Sequence, residues 1–525
     1  MRIMIAQIAV ITLILLGSDN AMAMSFCEDP IETTVGKVRG AQETLTATCG
    51  WRGIPYAAPP VGELRFRSPQ PAPAWEGVLD ANTFGDRCMQ KGIMDLADPP
   101  GESEDCLYLN VWRPAKSGLF PVMVWIHGGG YTGGSGNLWG DRLSQAGDVV
   151  VVSINYRLNI FGFLAHPELR KADPHNATGG QGSLDQVAAL KWVQENIENF
   201  GGDKNNVTIF GESAGGWSVC TMLATPLARG LFHRAILESG GCEISRDLEE
   251  GYTFTREVAA VLGCEFDDVQ CLRALSAEEL LAKSPQGVMG VDYIPHHDGH
   301  LLTDTPLSMI RAGDFNNVPF LAGSNRDEFG RMESLKLRLY LSMPFIYKKR
   351  VISEYDFSEE EAQNLVELYP LDQFGGRPVN AFVQMHADRG LACSTYRGLL
   401  ASSERQPSVY LYRFDYDDQR FGKIMGSFHG LEISFVFGTL GDTFGIKLFN
   451  KRNIGPAREL SRIVQGYWVN FARNGDPNGP GLPEWPVFSP GSQKLQVLDV
   501  HTRTESAQLF AERCEFWGPK FKKGR

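Results

Sequence analysis

The stretch VTIFGESAGG, residues 207–216, decides how this chain folds. Its first four residues are β-branched or aromatic, which favours a strand, and helix-forming residues 217–223 follow it directly. The whole chain contains 57 glycines, so a Gly-x-Ser-x-Gly pattern alone is weak evidence for a catalytic serine. The serine could be incidental to a tight turn. A strand entering and a helix leaving predict a sharp corner that carries Ser213 at its tip.

A serine at such a corner is suited to nucleophilic chemistry. The corner holds its hydroxyl clear of the sheet, and the following helix aims backbone N–H groups at any negative charge beside it. Upstream, residues 127–130 read His-Gly-Gly-Gly at the end of an apolar run, and consecutive glycines let more N–H groups approach a substrate. A phosphate-binding loop is the alternative interpretation, but this stretch lacks the Gly-x-x-x-x-Gly-Lys-Ser/Thr pattern of such loops. The two stretches together predict acyl transfer.

The surrounding sequence predicts an α/β fold. Residues 121–126 and 149–154 are unbroken apolar runs, which indicate strands buried on both faces of a sheet. Residues 184–197 carry the apolar stripe of a helix that ends at residues 201–203 (Gly-Gly-Asp), and residues 318–323 form another strand. Strand, glycine-rich corner and helix recur, which predicts a doubly wound, mostly parallel sheet covered by helices.

A serine nucleophile needs a base and a carboxylate that orients the base. On α/β folds of this type the chain order is serine, acid, histidine, so the base lies well past Ser213. Asp327 and Glu328 both follow the strand at residues 318–323, and local sequence does not choose between them. The competing histidines are His296, His297, His300, His386, His429 and His501.

Composition bounds the remaining possibilities. With 525 residues, 43% hydrophobic and 21% charged, the chain is typical of a globular protein, which excludes disorder, collagen and coiled coil. The net charge of −12 argues against a nucleic-acid partner, because phosphate binding needs clustered Lys and Arg. We find no repeat of 20 to 50 residues. One large α/β domain with long insertions, residues 24–525, is therefore expected.

The N-terminus is typical of a secretion signal. Arg2 precedes the apolar residues 4–16, and residues 21–23, Ala-Met-Ala, suit signal peptidase. The run is too short for a membrane span, which needs about 20 apolar residues, although an uncleaved anchor is the alternative. We expect residues 1–23 to be a signal peptide, with a mature chain from Met24 that has no membrane span. Secretion or a periplasmic location follows.

The cysteines agree with that oxidising route. The chain has ten, an even number. Cys88 with Cys106 and Cys264 with Cys271 bracket short segments and are interpreted as loop staples. No Cys-x-x-Cys occurs, and no structural metal is predicted.

Eight stretches, taken in order, resemble the type-B carboxylesterases, the family that includes cholinesterases and bacterial and fungal esterases. The likeness covers nearly the whole mature chain. It implies an α/β-hydrolase fold and a small-molecule carboxylic ester hydrolysed through an acyl-enzyme, without a cofactor. The stretches are residues 53–57 (GIPYA), 64–66 (LRF), 103–110 (SEDCLYLN), 128–130 (GGG), 155–157 (NYR), 210–216 (FGESAGG), 327–329 (DEF) and 429–432 (HGLE).

The resemblance also implies roles for individual residues. The family's nucleophile falls on Ser213, its acid on Glu328 and its base on His429. Its oxyanion hole falls on Gly129, Gly130 and Ala214, and its disulfides on Cys88–Cys106, Cys264–Cys271 and Cys393–Cys514. Four cysteines are left over. Cys27 and Cys49 flank an N-terminal hairpin-like segment and are expected to pair, whereas Cys220 is expected to be a buried free thiol and Cys242 has no assigned partner.

Departures from the family are informative. Cholinesterases bind a quaternary ammonium on a Trp in the first disulfide loop, but here residues 89–105 contain no Trp, Tyr or Phe, which argues against choline esters. Residues 293–300 are His-rich, which we interpret as polar pocket lining or surface in preference to a metal site; a His297 that faces the substrate would indicate a polar acyl group. Glu212 either tunes the site or simply packs behind the corner.

Rival functions on the same fold are a lipase, an acyltransferase and a non-catalytic binding module. The sequence leaves open the natural ester and the oligomeric state.

Overall fold

A mixed sheet of eleven strands runs through the computed structural model, which describes residues 27–91, 101–285, 292–328, 344–441 and 446–518. The strands are β1 (Ala41–Gln42), β2 (Thr48–Pro55), β3 (Tyr108–Pro114), β4 (Phe120–Ile126), β5 (Val150–Ile154), β6 (Gly202–Glu212), β7 (Arg234–Glu238), β8 (Phe320–Asn325), β9 (Val409–Phe414), β10 (Lys494–Leu498) and β11 (Arg503–Ser506). Their order across the sheet is β11-β10-β9-β8-β7-β6-β4-β5-β3-β2-β1.

The central strands are parallel, as predicted. All neighbouring pairs from β10 to β5 run parallel. Antiparallel strands close the two edges, with β11 beside β10 and with β3, β2 and β1 beyond β5. Because the carboxyl ends of parallel strands lie at one edge, loops after β4, β6 and β8 can meet there.

Both faces of the sheet are buried, which confirms the interpretation of the apolar runs. On β4, Val122 and Val124 belong to one hydrophobic cluster. Met123 and Trp125, which alternate with them, belong to the cluster on the opposite face. Unbroken apolar sequence is therefore required on β4.

Helices cover both faces. Leu190 and Val219 lie in the first cluster, and Leu460 and Trp468 lie in the second. The described α-helices are α1 (Asp141–Gly147), α2 (Asn159–Phe163), α3 (Pro167–Ala172), α4 (Gln181–Asn196), α5 (Ala214–Ala224), α6 (Leu248–Leu262), α7 (Val269–Ala274), α8 (Ala277–Lys283), α9 (Pro306–Ala312), α10 (Tyr347–Tyr355), α11 (Glu359–Leu368), α12 (Pro378–Ala387), α13 (Cys393–Ser403), α14 (Gly422–Met425), α15 (Ile433–Val436), α16 (Ile454–Asn474) and α17 (Gln508–Trp517). Smaller ladders join Lys37–Arg39 to Ile31–Glu32 and Val78–Asp80, Arg87–Cys88 to Glu102–Ser103, and Arg246–Asp247 to His296–His297.

The approach to the serine corner differs slightly from the predicted one. Helix α4 continues as a 3-10 turn, Ile197–Phe200, and Gly201 closes that turn with φ 73°, a left-handed conformation that favours glycine. Strand β6 starts at Gly202, earlier than the predicted start, and its register against β4 shifts before Val207. The predicted helix stop is therefore confirmed, and the strand gains an irregular first half.

All ten cysteines are paired. The disulfides are Cys27–Cys49, Cys88–Cys106, Cys220–Cys242, Cys264–Cys271 and Cys393–Cys514. The expectation of a free thiol at Cys220 is wrong, because this residue on α5 bonds to Cys242 in the segment that follows β7. Residues 1–23, the predicted signal peptide, lie outside the described ranges, within which no helix is long and apolar enough to cross a membrane.

The loop that each disulfide closes predicts how much it stabilises the fold. Cys393 and Cys514 are 121 residues apart, whereas Cys264 and Cys271 are 7 apart. Restricting the unfolded chain contributes about 5 kcal/mol for the longer loop and about 2 kcal/mol for the shorter one. We expect replacing the first pair with serines to lower the urea midpoint more than replacing the second pair. Equal shifts would contradict the loop-length argument.

Candidate active site

Ser213 occupies the corner between β6 and α5, as predicted. Its φ of 58° and ψ of −121° are sparsely populated by residues other than glycine. Two backbone hydrogen bonds hold the corner: the Ser213 N–H donates to the carbonyl of Glu238 at the end of β7, and the Trp217 N–H donates to the carbonyl of Ser213, both at 2.9 Å. The neighbouring strand and the first turn of α5 therefore fix the position of the serine.

The glycines that flank the serine are required because β4 ends against the corner. A Cβ atom on Gly211 would lie 2.6 Å from the carbonyl oxygen of Ile126, and one on Gly215 would lie closer still to that oxygen. Packed atoms do not tolerate such separations. The corner therefore packs so tightly on β4 that only glycine fits two positions before and two positions after Ser213.

The glycine loop after β4 lies against the same corner. A Cβ atom on Gly128 would lie 3.0 Å from the Cβ of Ser213. Gly129 and Gly130 have φ of 102° and 63°, which side chains disfavour. Ala214 is the first residue of α5, and the leading N–H groups of a helix have no partner within it. The glycine loop and the N-terminus of α5 therefore both lie next to Ser213.

His429 and Glu328 meet beside the corner. Nδ1 of His429 lies 2.6 Å from Oε2 of Glu328, whose side chain has 0% exposure. Oε1 of Glu328 accepts a 2.7 Å hydrogen bond from the N–H of Asn325, the last residue of β8. The His429 N–H also donates to the carbonyl of Glu328 at 3.2 Å. Side chains and backbone together hold the imidazole in one orientation.

The neighbouring carboxylate, Asp327, has different partners. Its Oδ2 accepts from the Arg326 guanidinium and from the Ser427 N–H, both at 2.8 Å. These contacts anchor the loop before His429. Of the two acids that the local sequence left tied, Glu328 is thus the one that contacts this histidine.

The other candidate histidines lie away from Glu328. Nδ1 of His296 lies 2.8 Å from the carbonyl oxygen of Gly179, and the ring of His300 stacks on that of His175. His386 lies near Glu354, and His501 is exposed. In the part of the chain that the structure describes, no group of three or more His, Cys, Asp or Glu side chains is arranged to hold a metal ion.

Three further buried carboxyl groups belong to this region. Oε1 of Glu212 lies 3.2 Å from Nε2 of His429, on the ring edge opposite Glu328. Burial raises the pKa of Glu212 to about 7 and that of Glu238 to about 8. Burial, reinforced by the charges of Glu212 and Glu238, raises the pKa of Glu432 well above its usual range. Glu238 and Glu432 therefore retain protons near neutral pH, whereas Glu212 titrates around neutral pH.

Sequence reasoning assigned no role to Glu238 or Glu432. Glu238 accepts a 2.8 Å hydrogen bond from the Trp468 indole, and Glu432 accepts from the Ser239 hydroxyl at 3.3 Å and from the Asn325 amide. The local sequence gave little signal for Glu238, because carboxylates are rarely buried and nothing in Arg234–Glu238 predicts the indole of Trp468 as its partner.

Known proteins resemble this chain over most of its length. The sequence profile described as the carboxylesterase family matches residues 28–517. The para-nitrobenzyl esterase of Bacillus subtilis is 35% identical over 496 residues, which covers 91% of this chain and 96% of the relative. Carboxylesterase 1C of Rattus norvegicus is 36% identical over 527 residues, which covers 93% and 92%.

Solved structures match equally well. A thermophilic PNB esterase superposes with a TM-score of 0.78 at 33% identity, covering 93% of this chain and 100% of its own. The crystal structure of a carboxylesterase from Geobacillus stearothermophilus gives a TM-score of 0.79 at 36% identity, covering 93% and 99%. Sequence and fold therefore agree along most of the chain.

Proposed function

The chain belongs to the carboxylesterase family and is a carboxylic-ester hydrolase, and from this premise we propose that Ser213, His429 and Glu328 form its catalytic triad. The observation that carries the proposal is the 2.6 Å contact between Nδ1 of His429 and the buried carboxylate of Glu328. A carboxylate only accepts hydrogen bonds, so in the neutral ring Nδ1 bears the hydrogen and Nε2 keeps its lone pair. That is the tautomer a general base needs.

The reaction follows from these roles. Nε2 of His429 takes the hydroxyl proton as Oγ of Ser213 attacks the ester carbonyl carbon, and the electron pair of the C=O bond moves to oxygen. The N–H groups of Gly129, Gly130 and Ala214 donate to that oxyanion. The intermediate then collapses, and the leaving alcohol takes the proton back from His429. Water repeats the attack on the acyl-enzyme and regenerates the serine.

Glu212 takes part by its charge. Its carboxyl group lies beside Nε2 while Glu328 lies beside Nδ1, so the imidazolium formed in each step sits between two acids. Opposite charges at such separations favour the protonated ring. Of the two roles considered for Glu212, this favours tuning of the site.

The pH dependence of activity tests this role. Burial lowers the pKa of His429. The charges of Glu212 and Glu328, together with the hydrogen bond to Glu328, raise this pKa by more than burial lowers it, so the pKa of His429 lies above its ordinary 6.5. Because the base must be neutral, we expect kcat/KM to fall with decreasing pH through a midpoint above 6.5. Glu212→Gln removes one of these charges and should move the midpoint to lower pH.

Glu265→Gln, at an exposed position, is the matched control and should leave the midpoint in place. The midpoint of the pH profile belongs to His429 and its two acids as one coupled group, and not to a single residue. The readout is therefore the change in this midpoint between the variants. An unmoved midpoint in Glu212→Gln would rule out the electrostatic role.

We further propose that residues 1–23 direct export and that the mature enzyme, residues 24–525, is one domain that is secreted or periplasmic. The five disulfides support an oxidising compartment. N-terminal sequencing of the exported protein tests this. A first residue near Met24 is expected, and an intact N-terminus in the membrane fraction would favour the uncleaved anchor.

The activity itself is tested with 4-nitrophenyl esters from acetate to palmitate. We expect the short acyl chains to be preferred, with no rise in rate when the substrate exceeds its solubility. A fluorophosphonate should inactivate the enzyme and label peptide 205–229, which trypsin releases after Lys204 and Arg229 and which contains Ser213. Preference for long chains with activation at an interface would instead indicate a lipase, and acyl transfer to an added alcohol in preference to water would indicate an acyltransferase.

A further inference from the structure

A second serine–histidine–aspartate chain occurs on elements that carry none of the proposed triad. Oγ of Ser245 lies 2.7 Å from Nε2 of His297, and Nδ1 of His297 lies 3.0 Å from Oδ1 of Asp247. This arrangement gives a place to His297, the member of the His-rich stretch for which the sequence suggested a substrate contact.

Strand pairing creates the arrangement. Arg246–Asp247 pairs in parallel with His296–His297, and in this register Asp247 lies opposite His297. Side chains alternate along a strand, so Ser245 and Asp247 point to the same side, where the imidazole reaches both. A ladder of two residues per strand thus aligns Ser245 and Asp247 with a histidine 50 residues beyond Asp247 in the chain.

The hydrogen bonds fix what each group can do. The carboxylate of Asp247 only accepts, so in the neutral ring Nδ1 of His297 carries the hydrogen. Nε2 then accepts the hydrogen bond from the Ser245 hydroxyl. These are the roles of acid, base and nucleophile in a triad, which is recognised by geometry and not by position in the sequence.

We propose that Ser245 is a second nucleophile, acylated by activated aryl esters whose leaving group is an acidic phenol. Oγ of Ser245 bonds to the ester carbonyl carbon while its proton passes to Nε2 of His297. The carbon–aryloxide bond then breaks, and the phenolate leaves with that electron pair. The products are an acyl-Ser245 and an imidazolium, which returns its proton to solvent.

Exposure limits this site to activated esters. The side chain of Asp247 is 74% exposed, whereas that of Glu328 is 0% exposed. Water competes for an exposed carboxylate and screens its charge, so Asp247 stabilises an imidazolium less than Glu328 does. Ser245 itself is partly exposed, so small esters can reach its hydroxyl from solvent. Acylation is therefore slow and needs a good leaving group.

The test uses the full chain carrying Ser213→Ala, incubated with 4-nitrophenyl acetate. We expect a burst of about one equivalent of 4-nitrophenolate and one acetyl group on peptide 235–246, which trypsin releases after Arg234 and Arg246. Fragmentation separates Ser245 from Ser239 in that peptide. Adding His297→Gln should slow the acetylation at least about 100-fold, the lower range for loss of a general base.

Two further variants make the result specific. Asp247→Asn, at an exposed position, should slow acetylation by about 10-fold and serves if His297→Gln fails to fold. Ser403→Ala is the control, because the Ser403 hydroxyl donates to the carbonyl of Leu400; it should leave acetylation of Ser245 unchanged.

Absence of acetyl-Ser245 in the folded Ser213→Ala protein overturns the proposal, as does acetylation that proceeds equally fast in well-folded His297→Gln. The readout is the position of the acetyl group. It is therefore independent of whether Ser213 is the nucleophile of the main reaction, which the turnover of the same variant reports separately.

Discussion

Replacing Ser213 with alanine is expected to lower kcat for 4-nitrophenyl acetate by roughly 10⁵- to 10⁶-fold. The substitution removes the attacking oxygen, and only binding and the oxyanion donors remain to accelerate hydrolysis by water. The change is small and local, because the corner is held by backbone hydrogen bonds that alanine keeps. Steady-state turnover, measured after any burst, gives the loss, and circular dichroism verifies the fold.

A double variant shows whether the serine acts with His429. If the two form one catalytic group, His429→Gln alone causes a loss of similar size, and Ser213→Ala/His429→Gln is little worse than either single variant. Losses that multiply would mean that the two residues act independently, and the triad proposal would then be wrong.

Glu328→Gln is expected to lower kcat by about 10⁴-fold, with KM changed little. The amide is nearly isosteric with the carboxylate but cannot stabilise the imidazolium. Its NH₂ group can also donate to Nδ1, which would move the ring hydrogen to Nε2 and block the base. Because Glu328 is fully buried beside the ring, water cannot take over its role. Initial rates over a range of substrate concentrations separate kcat from KM.

Asp327→Asn is the matched comparison, since the neighbouring carboxylate contacts Arg326 and the Ser427 N–H. It anchors the loop before His429, so its replacement should cost stability more than turnover. A loss in Asp327→Asn as large as that in Glu328→Gln, in folded protein, would remove the distinction between the two acids.

Much of the fold could be predicted from short stretches. Apolar runs without alternation identified β4 and β5, because both faces of these strands are covered. The polar residue of β5, Ser153, is buried and its hydroxyl donates to the carbonyl of Gly136. The serine corner was also predictable, since both of its flanking glycines lie too close to the carbonyl of Ile126 to carry a side chain. The resemblance to type-B carboxylesterases and the α/β-hydrolase fold are both confirmed.

The catalytic acid and base proposed here could not be predicted from local sequence patterns. Glu328 and His429 are 101 residues apart, and nothing in either loop encodes which other loop it will meet. Only the resemblance chose between Asp327 and Glu328. The contact that the structure adds depends on the sheet order, which brings the segments after β8 and β9 together.

Features that depend on how elements pack together were either predicted wrongly or not predicted at all. The pairing of Cys220 with Cys242 follows from the position of α5 beside the segment after β7, which cysteine counting does not reveal. Likewise, the partnership of Ser245 with His297 depends on the register of one short ladder. Both are consequences of where elements dock and not of local preference.

The disulfides share a pattern that bears on how the enzyme is made. Each cysteine is bonded to the next cysteine along the chain, from Cys27–Cys49 to Cys393–Cys514. A chain that meets an oxidant as it emerges N-terminus first thus forms every native bond in order of appearance, each before the next pair is exposed. Reshuffling by an isomerase is not needed to reach this connectivity. We therefore expect the yield of active enzyme in an oxidising host to depend more on the supply of oxidant than on the correction of mispaired bonds.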